Sequence, residues 1–321
     1  MDSSWRHISV QAPAKINLLL RVVGRRDDGY HDVETWMQKI DLYDRLELEL
    51  FPGKGIDFFC ANQSVPADAT NLAVRAGASF LAASKKSKGY GLRIKLHKNI
   101  PVAAGLGGGS SDAGAVLRGL NTLFAAEFST EQLLILARPL GADVPFFAVD
   151  YDAVFATGIG DVLRPVACLD NCSFVVVNPN FFVSTAWVFQ NLALTSLSKT
   201  SKLSCFLKRE IVPLALEEMH NDLEQVSCAK YPLIEQIKRS LLACGATQAL
   251  MSGSGPSVFG VFPDTGKPCG VDLQRIVGAF RQEYGEKVFL SRACTGASPS
   301  GKAPGFDPGI RRFESCRPSH H

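Results

Sequence analysis

Polar and apolar residues alternate along Leu92-Arg-Ile-Lys-Leu-His97, the period of a half-buried β-strand. Across 112–124 the period changes: Ala113, Val116, Leu117 and Leu120 recur at helical spacing. The stretch between them, Pro101-Val102-Ala103-Ala104-Gly105-Leu106-Gly107-Gly108-Gly109-Ser110-Ser111, is therefore a strand-to-helix loop, with Ser110 or Ser111 where an N-cap belongs. Four glycines within five residues let such a loop take positive φ and approach a ligand closely. Its N–H groups and the positive helix end then face one cavity, which makes a phosphate cradle. A dinucleotide fingerprint fits less well, because the sixth position of Gly105-Leu-Gly107 is Ser110. A Walker A loop needs a lysine that is not there.

The same patterning predicts the other elements. Residues 9–20 read as a strand interrupted at Pro13, with Lys15 and Asn17 sharing one face of an apolar stretch. That face is either exposed, or buried with partners for both polar groups. Strands are predicted at 33–40 and 44–51, and helices at 71–84, with Asn71 near its start, and at 130–140, capped by Thr130. Gly141 suits a helix C′ position, and Pro145 the first turn of a new short helix. Asp143 would then stand at that helix's N-terminus, either as a simple cap or as a carboxylate that orients a hydroxyl or accepts its proton. A hairpin at 153–163, a buried strand at 173–177, mostly helix over 190–240, a helix at 271–283 and a strand at 287–290 complete the order. A second glycine loop, 249–257, runs into a strand at 258–262 and on its pattern is equally a tight turn. Tyr30-His31 closes a charged turn bracketed by glycines.

Composition narrows the class. A chain of 321 residues with 46% hydrophobic and 20% charged residues is globular and long enough for two domains. A net charge of +3 without blocks of like charge gives no reason to expect nucleic acid. Nine scattered cysteines lack zinc spacing and read as reduced thiols; no h-region or membrane-length apolar run occurs. The chain thus reads as a soluble cytoplasmic protein without a membrane partner. From Ala293 onward glycine, proline and serine dominate and periodicity is lost, which predicts a disordered tail. Codons for Arg312-Phe-Glu-Ser315 can contain GGTTCGAATCC, a sequence like a transfer-RNA T-arm, so the tail is expected to be read-through.

Three motifs taken together resemble the GHMP kinases: Ala14-Lys-Ile-Asn-Leu18, the loop 101–111, and Met251-Ser-Gly-Ser-Gly-Pro256, in that order. Pro13-Ala-Lys-Ile-Asn17, Gly29-Tyr-His31, Gly141-Ala-Asp-Val-Pro145 and Asn221-Asp-Leu-Glu224 narrow the likeness to members acting on a cytidyl diphosphate small molecule. The resemblance spans about residues 9–290. It implies a two-domain α/β (α+β) fold with the active site in the interdomain cleft, an N-terminal domain over 1–160 and a C-terminal domain over 161–292. It implies ATP and Mg2+, with Lys15 and Asp143 catalytic, 101–111 holding the nucleotide phosphates, and Ser111 toward the metal. Asn17, Tyr30, His31 and Phe189 would contact the substrate, and the chain would be a monomer or homodimer. Ala103-Ala104 depart from the glycines usual early in this loop, which places the phosphates on Gly105 to Gly109. Rival readings are a homoserine- or mevalonate-type kinase, which has no evident use for Tyr30-His31, and an inactive nucleotide-binding regulator, which has none for Lys15 with Asp143.

Overall fold

The computed structural model describes residues 6–193, 214–264 and 272–294. Two sheets organise them. The first is built on a long hairpin of β1 (Arg6–Arg25) and β2 (His31–Pro52), joined by β3 (Ile56–Cys60), β4 (Tyr90–His97), β5 (Ala153–Thr157), β6 (Val162–Pro165) and the short β8 (His220–Asn221). The path runs β3-β4-β2-β1-β8, and the β5–β6 hairpin attaches to the N-terminal half of β2. The second sheet is antiparallel, in the order β11-β7-β10-β9, from β7 (Cys172–Val177), β9 (Gln248–Met251), β10 (Val258–Pro263) and β11 (Val288–Arg292).

Irregularities in the central hairpin explain where patterning alone went astray. The predicted strands 33–40 and 44–51 are one continuous strand, β2. Pro13 pairs with Tyr43 and Ala14 with Ile40, so Asp41 and Leu42 are extra residues on β2. A bulge absorbs a proline, which has no N–H for the ladder, without ending the strand. The Asp41 carboxylate in this bulge accepts from Ser291 Oγ (2.8 Å) and Arg292 N (2.7 Å), docking the second sheet on the first.

Helices α1 (Leu72–Ala83), α2 (Gly108–Leu123) and α3 (Thr130–Ala137) cover the first sheet, burying Phe80, Val116, Leu117 and Leu120 against Val10, Leu48 and Ile94. Asn71 caps α1 through Ala73 N. Ser129, not Thr130, caps α3, in a reciprocal capping box with Gln132. Gly141 is extended (φ 164°) rather than left-handed, after a 3-10 turn at Arg138–Leu140. The short α4 (Val144–Ala148) follows, with a proline in its first turn as predicted. Of the stretch predicted as mostly helical, 194–213 lie outside the described residues; α5 (Thr185–Gln190), α6 (Glu224–Lys230) and α7 (Pro232–Ala243) flank that gap. With α8 (Leu273–Tyr284), α7 covers the second sheet around Val175, Val177, Val258, Ile237, Leu241 and Phe280. A third core, including Ile16, Leu18, Ile40, Leu106, Phe174, Val176 and Phe259, lies where the sheets meet. Among the described residues, no helix is long and apolar enough to cross a membrane.

The tail begins later than Ala293. Ala293 bridges Ile40, Cys294 N donates to Lys39 O (3.0 Å), and Cys294 Sγ lies 3.2 Å from Tyr43 Oη. Residues 295–321 lie outside the described residues. Truncation after Arg292 should therefore melt about 2–4 °C below truncation after Cys294, the equivalent of about 1 kcal/mol of lost pairing. Identical melting curves for the two truncations would show that this pairing contributes nothing.

Candidate active site

The centre of the site is the middle of β1. Lys15 and Asn17 are both buried, so of the two readings of this strand face the partnered one holds. Lys15 Nζ donates to Asn17 Oδ1 (2.5 Å), and Asn17 Nδ2 donates to Thr35 Oγ1 (2.8 Å). Thr35 passes the chain on to the Leu19 carbonyl (2.7 Å). Lys15 Nζ also stands 3.7 Å from Asp143 Oδ2, with side-chain exposures of 5% for the lysine and 33% for the aspartate. Asp143 occupies the N-cap position of α4 but makes no capping hydrogen bond with its side chain. Its carboxylate is thus turned to Lys15 and open to solvent, not spent on the helix.

The glycine loop is laid along β1, with Lys15 N donating to Leu106 O (2.9 Å). The helix it feeds starts earlier than the serines suggested: Gly107, in the left-handed region (φ 71°), is the N-cap, and Ser110 and Ser111 fall in the first turn. Ser111 is fully buried, and its hydroxyl donates to Pro13 O (2.6 Å). A β-carbon on Gly105 would lie 2.1 Å from Ser252 O, and one on Gly107 would lie 3.0 Å from both Lys15 Cγ and the Phe147 ring. These are close approaches that only glycine allows. The second glycine loop is no mere turn, since Ser252 Oγ donates to Gly105 O (2.9 Å) and Ser257 N to Ala104 O (3.3 Å). Ala104 is buried beside that contact, while Ala103 is exposed with φ 53°. Pro101 is buried, Val102 and Gly109 are exposed, Leu106 and Gly108 are buried, and Gly105, Gly107 and Ser110 are intermediate.

Behind the loop lies a buried ion triad. Lys98, just before it, pairs with Asp44 on β2 and with Asp112 on α2, just past its first turn (2.9 Å). Asp44 also accepts from Asn99 N (2.6 Å) and Ile100 N (2.8 Å). Burial pushes the Asp112 carboxyl up to about 7 against the pull of Lys98, with Asp44 adding to the rise. Its Oδ1 has no hydrogen-bond partner.

A second cluster lies at the far end of the hairpin. The His31 ring packs on Phe189 of α5, centroids 5.1 Å apart and planes at 31°. Tyr30, its neighbour, is 61% exposed and stands outside this pair. Burial first, and then the Arg25 cation, lower the His31 pKa below its ordinary value, so the ring is neutral near pH 7. The two clusters are linked, because Thr185 Oγ1 at the start of α5 lies 2.7 Å from Ser254 Oγ in the second glycine loop. The motif Asn221-Asp-Leu-Glu224 clips that loop in place. Asn221 Nδ2 donates to Met251 O (2.7 Å) and Gly253 O (2.8 Å), and Glu224 accepts from Met251 N (2.6 Å).

Several contributors escaped the sequence reading. Thr35, Asp44, Lys98 and Asp112 act through partners distant in sequence, and no local spacing announces them. Lys39 and Arg118 are two further cations beneath α4; burial pulls the Lys39 amine down to about 7, the Arg118 charge adding to the fall. No group of acidic, histidine or cysteine side chains able to hold a metal by itself occurs among the described residues.

Known proteins resemble this chain in sequence and fold. The family description "GHMP kinases N terminal domain" matches residues 71–150, and "GHMP kinases C terminal" matches 207–268. A 4-diphosphocytidyl-2-C-methyl-D-erythritol kinase of Desulfotalea psychrophila is 47% identical over 287 residues, covering 89% of this chain and 95% of the relative. A crystal structure of 4-(cytidine 5'-diphospho)-2C-methyl-D-erythritol kinase superposes with a TM-score of 0.73 at 34% identity, covering 90% of this chain and all 100% of that one. A homoserine kinase from Cytophaga hutchinsonii, at 18% identity and TM-score 0.65 over 89% of this chain and 95% of its own, shares the fold. Fold and site together define an ATP-dependent small-molecule kinase of the GHMP class. Within that class, the chain belongs to the 4-diphosphocytidyl-2-C-methyl-D-erythritol kinase family.

The triad carries a pH signature. A carboxyl held protonated up to about 7 when folded, against the 3.8 ordinary for an aspartate, contributes stability below the lower pKa. That contribution is lost as pH rises through the upper one. Asp112→Asn cannot ionise, so its melting temperature should gain on the wild type steadily between pH 5 and pH 8. A difference that stays constant over that range would mean that Asp112 is ionised throughout.

Proposed function

We propose that this cleft transfers the γ-phosphoryl group of ATP to the 2-hydroxyl of 4-diphosphocytidyl-2-C-methyl-D-erythritol, in the non-mevalonate route to isoprenoid precursors. The family membership supports the reaction, and the Lys15–Asp143 pair beside the glycine cradle is the observation that supports its place in this chain. The proposed domains are 1–160 and 161–292, with β6 and β8 of the second reaching across to complete the first sheet.

Phosphoryl transfer asks little covalent chemistry of a protein, so positioning and charge neutralisation carry it. The N–H groups of 105–109 and the N-terminus of α2 receive the phosphates, and the missing β-carbons of Gly105 and Gly107 let the loop pack against Ser252, Lys15 and Phe147. Asp143 accepts the hydrogen bond of the substrate hydroxyl and orients its oxygen toward the γ-phosphorus. As the new O–P bond forms, the bond from the γ-phosphorus to the β,γ-bridging oxygen breaks and the hydroxyl proton is left to Asp143. Lys15, 3.7 Å from Asp143, offsets charge developing on the phosphoryl oxygens. Asn17, anchored through Thr35, fixes the rotamer of Lys15.

The donor set fits magnesium as a hard cation that brings most of its oxygen ligands with the nucleotide. Asp143 supplies a carboxylate beside the cradle, whereas Ser111 is fully buried with its hydroxyl given to Pro13 O and would reach a cation only on turning out of that contact. When bound, the metal would supply positive charge to offset that of the reacting phosphates.

At the other end, Phe189 offers a flat face for the cytosine ring. Neutral His31 offers one nitrogen donor and one acceptor for the ring's edge. Tyr30, exposed at the rim, adds a second aromatic side chain on the base's side. Homoserine and mevalonate carry no base for this wall to grip.

Two substitutions test the assignment. Asp143→Asn should lower kcat on the order of 10²-fold or more with ATP affinity nearly kept; wild-type turnover would remove the carboxylate from the chemistry. His31→Ala should raise KM for the cytidyl substrate by about 1–3 kcal/mol with KM for ATP unmoved. In the wild type that KM should stay flat on acidification until pH passes below the lowered histidine pKa, then rise as the ring loses its acceptor. A change in ATP affinity alone would place His31 on the wrong wall.

A further inference from the structure

Helix α4 has five residues, too few to satisfy its own terminal carbonyls. Its C-terminal end is held by two cations from different elements. Arg118 on α2 donates through Nη1 to Phe147 O (2.6 Å) and through Nη2 to Gln11 O (3.2 Å). Lys39 on β2 donates to Val149 O (3.0 Å) and stands 4.9 Å over the Phe146 ring. Lys39 is also the register partner of Lys15 across the β1–β2 hairpin. Its own backbone is fixed on both sides, its N–H donating to Asp152 O (2.8 Å) and its carbonyl accepting from Cys294 N (3.0 Å).

From the side, α2 presses on α4 without a side chain between them: a β-carbon on Gly114 would lie 2.5 Å from the Phe147 carbonyl carbon. The helix is therefore clamped at one end and one flank. Its other end carries Asp143, 3.7 Å from Lys15 and without a cap hydrogen bond to fix it. Over so short a rigid body, any tilt released at the Phe147 and Val149 carbonyls appears directly at the Asp143 carboxylate.

We infer that Lys39 and Arg118 are positioning residues for phosphoryl transfer, holding the C-terminal carbonyls of α4 and so fixing where Asp143 stands against Lys15. This rests on the reading that Asp143 acts on the substrate hydroxyl. Neither cation is assigned a contact with substrate or nucleotide; both act through the helix. Cations at a helix C-terminus also stabilise it, so the test must separate placement from stability.

The full chain carrying Lys39→Met or Arg118→Met, substitutions that keep the aliphatic stem and remove the donor, is assayed at saturating and limiting substrate. Each should lower kcat roughly 10- to 100-fold, the cost of a displacement of about 1 Å at the reacting centre. KM for ATP and for the cytidyl substrate should stay within about twofold. Arg118→Lys, which keeps one donor for Phe147 O, should recover most of the loss. Val277→Ala, on the buried face of α8, serves as the stability control, lowering the melting temperature with kcat kept.

The deciding comparison is made in the Asp143→Asn background. There Lys39→Met and Arg118→Met should cost less than about twofold in addition, since residues that act as one unit are not additive. Unchanged kcat in the single variants, or the full penalty repeated in the Asp143→Asn background, overturns the inference. Should Lys39→Met fail to fold, the Arg118 variants decide alone by the same criteria. If Asp143→Asn turns over like the wild type, the underlying reading falls and the inference with it. A collapsed Asp143→Asn beside unaffected Lys39→Met and Arg118→Met overturns the inference alone.

Discussion

A loop that is to hold phosphates must leave its N–H groups unspent, so it has to be held in place from behind. Here the amine of Lys98 does this, lodged between the carboxylates of Asp44 and Asp112. Lys98 precedes the glycine loop and Asp112 follows it, so the ion pair closes the loop at its base, and Asp44 ties both to β2. Desolvation offsets much of the Coulomb gain of such buried ions, and the raised pKa of Asp112 is the mark of that cost. What the triad contributes is position more than stability. Because the triad holds the loop from behind, the loop backbone can lie along β1 at Lys15 and reach across to Ser252.

The rest of the site depends on that placement. Gly105 meets the carbonyl of Ser252 and Gly107 meets Lys15 and Phe147, so cradle, second glycine loop, β1 and α4 converge within contact distance. Asn221 and Glu224 fasten the second loop, and Thr185 links it to the helix that carries Phe189. The two glycine loops and the His31–Phe189 pair thus share one connected frame, with the Lys15–Asp143 pair beside the cradle.

Features with local causes were legible in the sequence. The strand at 92–97 shows in its alternation, the Asn71 cap in its side-chain chemistry, and the start of α4 in Pro145. The motifs that carried the resemblance were local too, which is why Lys15, Asp143 and the cradle could be named before any geometry. Failures arose where tertiary contacts override local preference. Serines looked like N-caps, yet Gly107 starts α2, because a left-handed glycine turns the chain where a β-carbon would strike Lys15 and Phe147. Asp41 to Tyr43 looked like a break, and a bulge carried β2 through it. Lys15 and Asn17 were open to two readings from spacing, and only Thr35 and Asp143, remote in sequence, decide between them. Lys39 and Arg118 gave no signal at all, since their partners are backbone carbonyls of another element.

The central claim is that one cleft joins a phosphate cradle to a wall built for a cytosine base, with the acceptor hydroxyl delivered to Asp143 between them. Turnover of the full chain with ATP and magnesium, offered 4-diphosphocytidyl-2-C-methyl-D-erythritol, homoserine and mevalonate side by side, tests it most directly. Phosphorus NMR of the product reads the position of transfer. The account predicts phosphorylation of the cytidyl substrate alone, on its 2-hydroxyl. Turnover of homoserine or mevalonate, or phosphate at another hydroxyl, would contradict it.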